Sequence, residues 1–374
     1  MKILITGDFC PSGRVVDLVN TLDKRAVFND FIEVMDRNDF SITNLECPVE
    51  SNTTSRIEKI GPVLSTSKKA IKLLREANFN MVTLANNHIR DLGDEGIKNT
   101  ISALEEEKLL YVGAGSGVKG ASETTIVQLK EKRIGVINIA ENEFSTLIKD
   151  DEYGAHGLDI IENSKKIKEA KEMADFIIVI YHGGHEGYQL PSPRMKKLFR
   201  FFIDNGAHAV ICHHAHCFSG YEVYEGSPIF YGLGNFVFDW NNVRKKKWNE
   251  GYAVELHLGD VVSYNIIPYI QGDDLPGVRL MTDAERKFFF VKLEELNRII
   301  SNDNKLFTSF QEFVSSKKLE YEVHLQPYTW RFLRGLYRRK LFPNLLTKSK
   351  KIRYLNMIKC ESHHDCLLEY LKNN

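Results

Sequence analysis

Five short polar clusters hold the side chains of this sequence whose types and spacing suit chemistry: Gly7-Asp8, Asn44-Leu45-Glu46, Asn86-Asn87-His88, His182-Gly183-Gly184-His185 and His213-His214-Ala215-His216. An ionised carboxylate only accepts hydrogen bonds, and a neutral imidazole offers one nitrogen lone pair. Two negative charges beside three or more imidazoles suit one or two divalent transition cations, and mixed oxygen and nitrogen ligands favour Mn, Fe or Zn over Ca. Paired metals about 3.5–4 Å apart hold a water as hydroxide and clamp the oxygens of a displacement, which is hydrolase chemistry. Taken singly, Asp8, Asn44 or Asn87 reads as a helix cap or turn residue. Five such clusters together read as a metal site.

Each cluster directly follows a run with strand character. KILIT (2–6), FSIT (40–43), MVTLA (81–85), RIGVINI (133–139), FIIVIY (176–181) and HAVIC (208–212) are the strand candidates. Between them, SKKAIKLLREA (67–77), DEGIKNTISALEEE (94–107) and SPRMKKLFRFFIDN (192–205) repeat apolar residues every three or four positions, which predicts helices, with Asp91 and Ser192 suited to helix starts. This alternation is that of an α/β sheet. Ligands of open α/β sheets bind beyond the carboxyl ends of the strands, so the five clusters are expected at one edge. After HAVIC come short strand-like runs with turns, either an antiparallel continuation or a second sheet. Helical periodicity takes over near Asp273, dividing the chain into residues 1–272 and a helical appendage, 273–374.

The motifs GDFCPSGR (7–14), NLECPVE (44–50), KIGP (59–62), LANNHIRDLGDEG (84–96), VGAGS (112–116), YHGGHEGYQLPSPRM (181–195) and CHHAHCFSGYEVYEGSPIFYGLGNFVF (212–238) appear in this order. Together they resemble the bacterial capsule-synthesis (CapA, poly-γ-glutamate synthesis) family of the calcineurin-like metallophosphoesterase superfamily, over most of residues 1–270. The resemblance implies a metallophosphoesterase-like four-layer α/β/β/α sandwich with two metals at its strand ends. It implies Asp8 on one metal, Glu46 as the bridging carboxylate, Asn87 as amide ligand of the second, and His182, His214 and His216 as imidazole ligands. It also implies that His88 is the neighbouring histidine that assists the leaving group or transition state. Two departures stand out. Cys10 occupies a place where the superfamily usually has histidine, so the first metal either loses a ligand or accepts a thiolate, and a single-metal site is possible. Glu46 replaces the usual aspartate, adding a methylene at the bridge.

Further residues are candidates for substrate contact. Arg14 could clamp a phosphate or carboxylate bidentately, or be a surface charge at a helix start. His185, Glu186, Tyr188 and Arg194 could line a polar cleft, and Glu141 and Glu143 follow another strand. Asn235 of GLGNF is expected to fix loops around the site. The candidate catalytic residues are thus His88, Arg14 and His185. In an extended segment, side chains two apart share a face, so His214 and His216 can converge while His213 points away.

The 374 residues are 43% hydrophobic and 27% charged, with 50 basic and 50 acidic side chains. That suits one large domain plus an appendage, and the balance argues against a general nucleic-acid binder. The start lacks a signal-peptide core, and no stretch approaches the roughly 18 apolar residues of a membrane span. This reading places the chain in the cytoplasm, with six scattered cysteines reduced. From Trp330 to Tyr354 lie nine Lys or Arg and no acid, interleaved with aromatic and aliphatic residues. Such a segment can lie on an anionic membrane at the inner face, or pack as a helix with its charges in water; Pro343 interrupts it. CESHHDC (360–366) reads as a short helix with buried cysteines more readily than as a zinc cluster. The function expected is metal-dependent hydrolysis of a phosphoester or amide of a surface polymer or precursor, with metal-bound hydroxide as nucleophile. The alternatives are a non-catalytic binding or scaffolding component of a capsule-assembly system and, less favoured, a phosphate or polymer sensor.

Overall fold

The computed structural model describes residues 1–146, 148–240 and 247–372. In chain order its strands are β1 (Lys2–Phe9), β2 (Phe40–Leu45), β3 (Met81–Thr83), β4 (Leu110–Val112), β5 (Ala114–Ser116), β6 (Thr125–Leu129), β7 (Lys132–Ala140), β8 (Tyr153–Ala155), β9 (Phe176–His182), β10 (Ala209–His213), β11 (Tyr221–Tyr224), β12 (Ser227–Phe230), β13 (Asn235–Val237), β14 (Glu250–Leu258), β15 (Val262–Gln271) and β16 (Val278–Leu280). Every strand expected from the sequence is present. Among the described residues one sheet has the order β16-β15-β14-β1-β2-β3-β4, with β13 also pairing with β1. A second runs β11-β12-β10-β9-β7-β6, and β5 and β8 form a short pair. The antiparallel strands that follow β10 are shared out: β14 to β16 extend the first sheet, and β11 closes an end of the second.

Strand alternation builds the layers. In β1, Ile3 and Ile5 enter a core shared by the two sheets, whereas Leu4 packs with helical residues such as Phe28, Ile71 and Leu104. In β9, Ile178 and Ile180 face the first sheet, while Ile177, Val179 and Tyr181 meet Ile167, Leu198 and Phe199 of the helices Ile160–Met173 and Pro193–Asp204. Both faces of each central strand are covered, which is why these strands read as continuous apolar runs. The arrangement is helix, sheet, sheet, helix.

Helix Pro193–Asp204 starts as its sequence suggests, the Ser192 hydroxyl accepting from Met195 N with proline at the first position. Asp91 behaves differently. Helix Gly93–Glu106 has Leu92 at its N-cap without a side-chain cap, and the Asp91 carboxylate is used elsewhere. Helix Asp283–Ile300, opened by a Thr282/Glu285 capping box, sends Phe289 and Leu293 into the inter-sheet core. The compact unit therefore runs from Met1 to Phe307, past the division at residue 272 read from sequence texture, because an amphipathic helix beyond that point completes the core. Thr308–Asn374 forms a second unit, whose described elements include helices Lys318–Leu325, Arg331–Arg338, Lys348–Lys359 and Glu361–Lys372.

The CESHHDC stretch lies at the junction of the last two helices. Cys360 is only half-buried, and Cys366, on helix Glu361–Lys372, is exposed rather than buried. All six cysteines are free. No described helix is long and apolar enough to cross a membrane.

Gly7 shows how tightly the site end of β1 is packed. A Cβ there would lie 1.8 Å from Gly234 O and 2.8 Å from Tyr269 Oη. Gly7→Ala is expected to lower the unfolding free energy of the sandwich by about 3 kcal/mol, the upper part of the overpacking range, in denaturant titration.

Candidate metal centre

The polar clusters meet where the carboxyl ends of β1, β2 and β3 in one sheet face those of β9 and β10 in the other. The single sheet edge expected from the sequence is thus replaced by the mouth between two sheets. Parallel register places Asp8 beside Asn44 and Asn235, and His213 beside His182. Asp8, Glu46, Asn87, His88, His182, His214 and His216 are all buried.

Two groups of potential ligands form, Asp8-Glu46-His216 and Glu46-His182-His214, each with its ligand atoms within 4.8 Å of one another. Glu46 belongs to both. His182 Nε2 lies 3.0 Å from Asn87 Oδ1, 3.2 Å from His214 Nδ1 and 3.5 Å from Glu46 Oε1, so Asn87 adjoins the second group. His216 stands 3.7 Å from both carboxylates, through Nδ1 to Asp8 Oδ2 and Nε2 to Glu46 Oε1. Asn235 Nδ2 donates to His216 O and Trp248 O, which turns its Oδ1 toward His216 Nδ1 at 2.9 Å and leaves Nε2 free to face Glu46. Asn235 therefore does orient the site.

The loop after β10 brings His214 and His216 together for a reason other than strand alternation. Both are in left-handed conformations, φ 89° and 53°, which branched or bulky residues rarely adopt. His213 does point away: its Nε2 donates to Thr6 O at 3.0 Å, fastening β10 to β1.

The electrostatics suit a cation. Asp8 accepts from Asn44 Nδ2 at 2.7 Å, yet burial, helped by Glu46, pushes its pKa up to about 8. Burial also raises Glu46, whose two oxygens have no hydrogen-bond partner. A buried carboxylate without donors is costly, and a divalent ion removes that cost. Burial, together with neighbouring imidazoles, lowers His182 and His214, keeping them neutral with lone pairs available. Burial also acts to lower His216, but Glu46 and Asp8 outweigh it and raise its pKa. The donor set fits divalent cations.

Beside the ligands lies a cavity of about 190 Å³ walled by Phe238, Trp240 and Trp248, with His88 and Glu186 on its lining. Behind His88 is a network that sequence reasoning missed. Asp91 Oδ2 accepts from His88 Nδ1 at 2.7 Å and from Leu64 N at 2.7 Å, while Oδ1 receives the buried Lys59 ammonium. Asp91 O also accepts from Ile57 N, so one residue ties the 57–64 loop to the site. The available signal was that KIGP (59–62) and LANNHIRDLGDEG (84–96) both belong to the ordered set of family-like motifs.

Other expectations are redirected. Arg14 is engaged within the protein: Nε and Nη2 hold the Asp239 carboxylate at 2.8 and 3.1 Å, and the guanidinium also donates to Asp273 O and Asp274 O. Arg194 pairs with Glu141, which also accepts from Gly184 N and so shapes the loop after His182. His185 is half-buried in that loop, its ring 6.3 Å from that of Tyr188, and belongs to neither ligand group. Cys10 is also outside both groups; it packs among apolar residues beside Cys47, and burial pushes its thiol pKa up. A larger cavity of about 520 Å³ around His156 shares no residue with the site, and His156 is satisfied by Asn138 O and Asn163 Nδ2.

The Lys59–Asp91 pair supports the loop energetically. Asp91→Asn is expected to cost about 3–5 kcal/mol in denaturant titration because it leaves the Lys59 charge buried alone, whereas adding Lys59→Met recovers part of that loss.

Comparison with known proteins places the chain in a family. The family described as Bacterial capsule synthesis protein PGA_cap matches residues 2–240. Capsule biosynthesis protein CapA of Bacillus anthracis is 31% identical over 267 residues, 70% of this chain and 64% of that protein. PGA biosynthesis protein CapA of Bacillus subtilis (strain 168) is 31% identical over 255 residues, 66% of this chain and 65% of that one. The chain thus spans slightly less than two thirds of the length of these relatives. Among solved structures, a putative 5'-nucleotidase from Staphylococcus aureus in complex with alpha-ketoglutarate aligns at a TM-score of 0.46 and 13% identity, over 79% of this chain and 58% of that one. With the family match extending over more than half of its length, the chain belongs to the PGA_cap family of bacterial capsule synthesis proteins.

Proposed function

We propose that this chain is a metal-dependent hydrolase that cleaves a phosphoester or amide bond in a surface polymer or its precursor. The observation that carries this reading is Glu46, buried, without a hydrogen-bond donor, and common to both ligand groups. Asp8, Glu46 and His216 would hold one divalent transition metal, Mn, Fe or Zn, and Glu46, Asn87, His182 and His214 a second. Such cations, when bound, polarise a phosphoryl or acyl oxygen and acidify water at neutral pH. His88, its Nδ1 held by Asp91, passes a proton at Nε2 to the leaving oxygen or nitrogen. Trp240 and Trp248 exclude water from the adjoining cavity and shape the space for the scissile group. The capsule and PGA roles in the relatives' names support a polymer as substrate.

The second reading is a non-catalytic component of capsule assembly, favoured by Cys10, which leaves the first ligand group at three residues. Metal analysis combined with a generic phosphodiester and γ-glutamyl amide assay separates the two. Purified wild type is expected to carry one or two transition metals per chain, His214→Ala to lose most of them, and His88→Ala to keep metal while losing turnover. A folded, metal-free wild type would overturn the hydrolase reading. Metal with no turnover of either substrate class would favour the assembly component.

Metal removal also has a pH signature. Burial raises Asp8 from 3.8 to about 8, so folding favours its protonated form. The stabilisation is complete below about pH 3.8 and disappears as pH rises through 8. In chelator, wild type is expected to lose thermal stability relative to Asp8→Asn between pH 4 and 8, and added Mn²⁺ to restore it in wild type alone.

A further inference from the structure

The second unit carries a surface that its own fold leaves uncovered. Helix Arg331–Arg338 turns Tyr337 inward, where its hydroxyl meets Gln326 and Glu322, and Leu346 is buried after the following turn. Gln326 and Tyr328 hold that turn through Asn344, Leu345 and Pro343 O. Trp330, Phe332 and Leu341 remain outside, 72, 71 and 67% exposed. Helix Lys348–Lys359 has no buried residue and exposes Ile352, Leu355 and Ile358. The segment is therefore folded, and its outward apolar side chains are not used in folding it.

Charge decides what fits this surface. Residues 330–354 hold nine Lys or Arg and no Asp or Glu, in a chain whose total charge is balanced. Arg338, Arg339 and Lys340 are exposed beside Leu341, while Lys351 faces Glu322 at 3.5 Å. Exposed cations interspersed with exposed indole, phenyl and aliphatic groups match an anionic lipid interface, where rings sit at headgroup depth and basic residues meet phosphate. Exposed leucine and isoleucine favour lipid over nucleic acid, because aliphatic groups do not stack on bases. The segment lies beyond residue 240, where the family match ends, so it is a property of this chain rather than of the shared domain.

We propose that residues 330–358 dock this protein peripherally on an anionic lipid surface. Docking would tether the Met1–Phe307 unit to that surface, and the proposal does not depend on the metal reading.

Co-sedimentation of the full chain with vesicles tests the proposal. Binding is expected to vesicles of equal parts phosphatidylglycerol and phosphatidylcholine, and not to pure phosphatidylcholine. Each cation near the surface is worth about a fivefold change in partitioning, so reversing three charges in R338E/R339E/K340E should weaken binding by about a hundredfold or more. W330S/F332S, at exposed positions, should leave binding at low salt and abolish the fraction that resists high salt. Equal binding to neutral vesicles, unchanged binding by the charge-reversal variant, or binding to single-stranded RNA without vesicle binding would each overturn the proposal.

Discussion

Two buried carboxylates side by side are the constraint around which this molecule is arranged. Asp8 and Glu46 repel each other in a low-dielectric setting, and only Asp8 accepts hydrogen bonds, from Asn44 Nδ2 and His214 N. Without a cation, burial and this repulsion favour the protonated form of Asp8, whose pKa is raised to about 8. Its geometry persists because the surrounding fold is rigid: β1 and β2 hold the carboxylates in parallel register, and Gly7 lets β1 approach the Gly234 carbonyl more closely than any side chain would permit.

A layer of amides converts that rigidity into ligand orientation. Asn44 joins Asp8, Thr83 and Asn86; Asn86 reaches Leu45 O and His88 N; Asn235 aims His216. An amide both donates and accepts without adding charge, so it positions carboxylates and imidazoles without competing for a cation. The strained backbone at His214 and His216 belongs to the same design: two imidazoles enter from one loop only because two residues accept a left-handed conformation.

Several features were legible from residues alone. The parallel strands are rich in apolar residues and buried over nearly their full length, as coverage on both faces requires, and the polar clusters at their ends break that pattern. The six ligand candidates Asp8, Glu46, Asn87, His182, His214 and His216 come together in the structure. Arg14 and Arg194 were not readable in the same way. A guanidinium in a motif looks identical whether it awaits a substrate or clamps Asp239 or Glu141, and Asp239 lies 225 positions from Arg14. Lys59 and Asp91 were hidden for a related reason. Their pairing links an irregular loop to the turn that precedes helix Gly93–Glu106, and neither period nor capping pattern records it.

The sequence by itself determined the chemistry available, because residue type sets donor atoms and charge, and strand periodicity sets which local segment ends in them. Tertiary structure decided the assembly. Asp8 and His214, 206 positions apart, meet only because two sheets stack with their carboxyl ends at a common mouth. That stacking depends on how whole apolar faces pack, including Phe289 and Leu293 from a helix the sequence texture assigned to the appendage. Short-range patterns specify elements; the free energy of burying their faces together specifies which of their ends become one site.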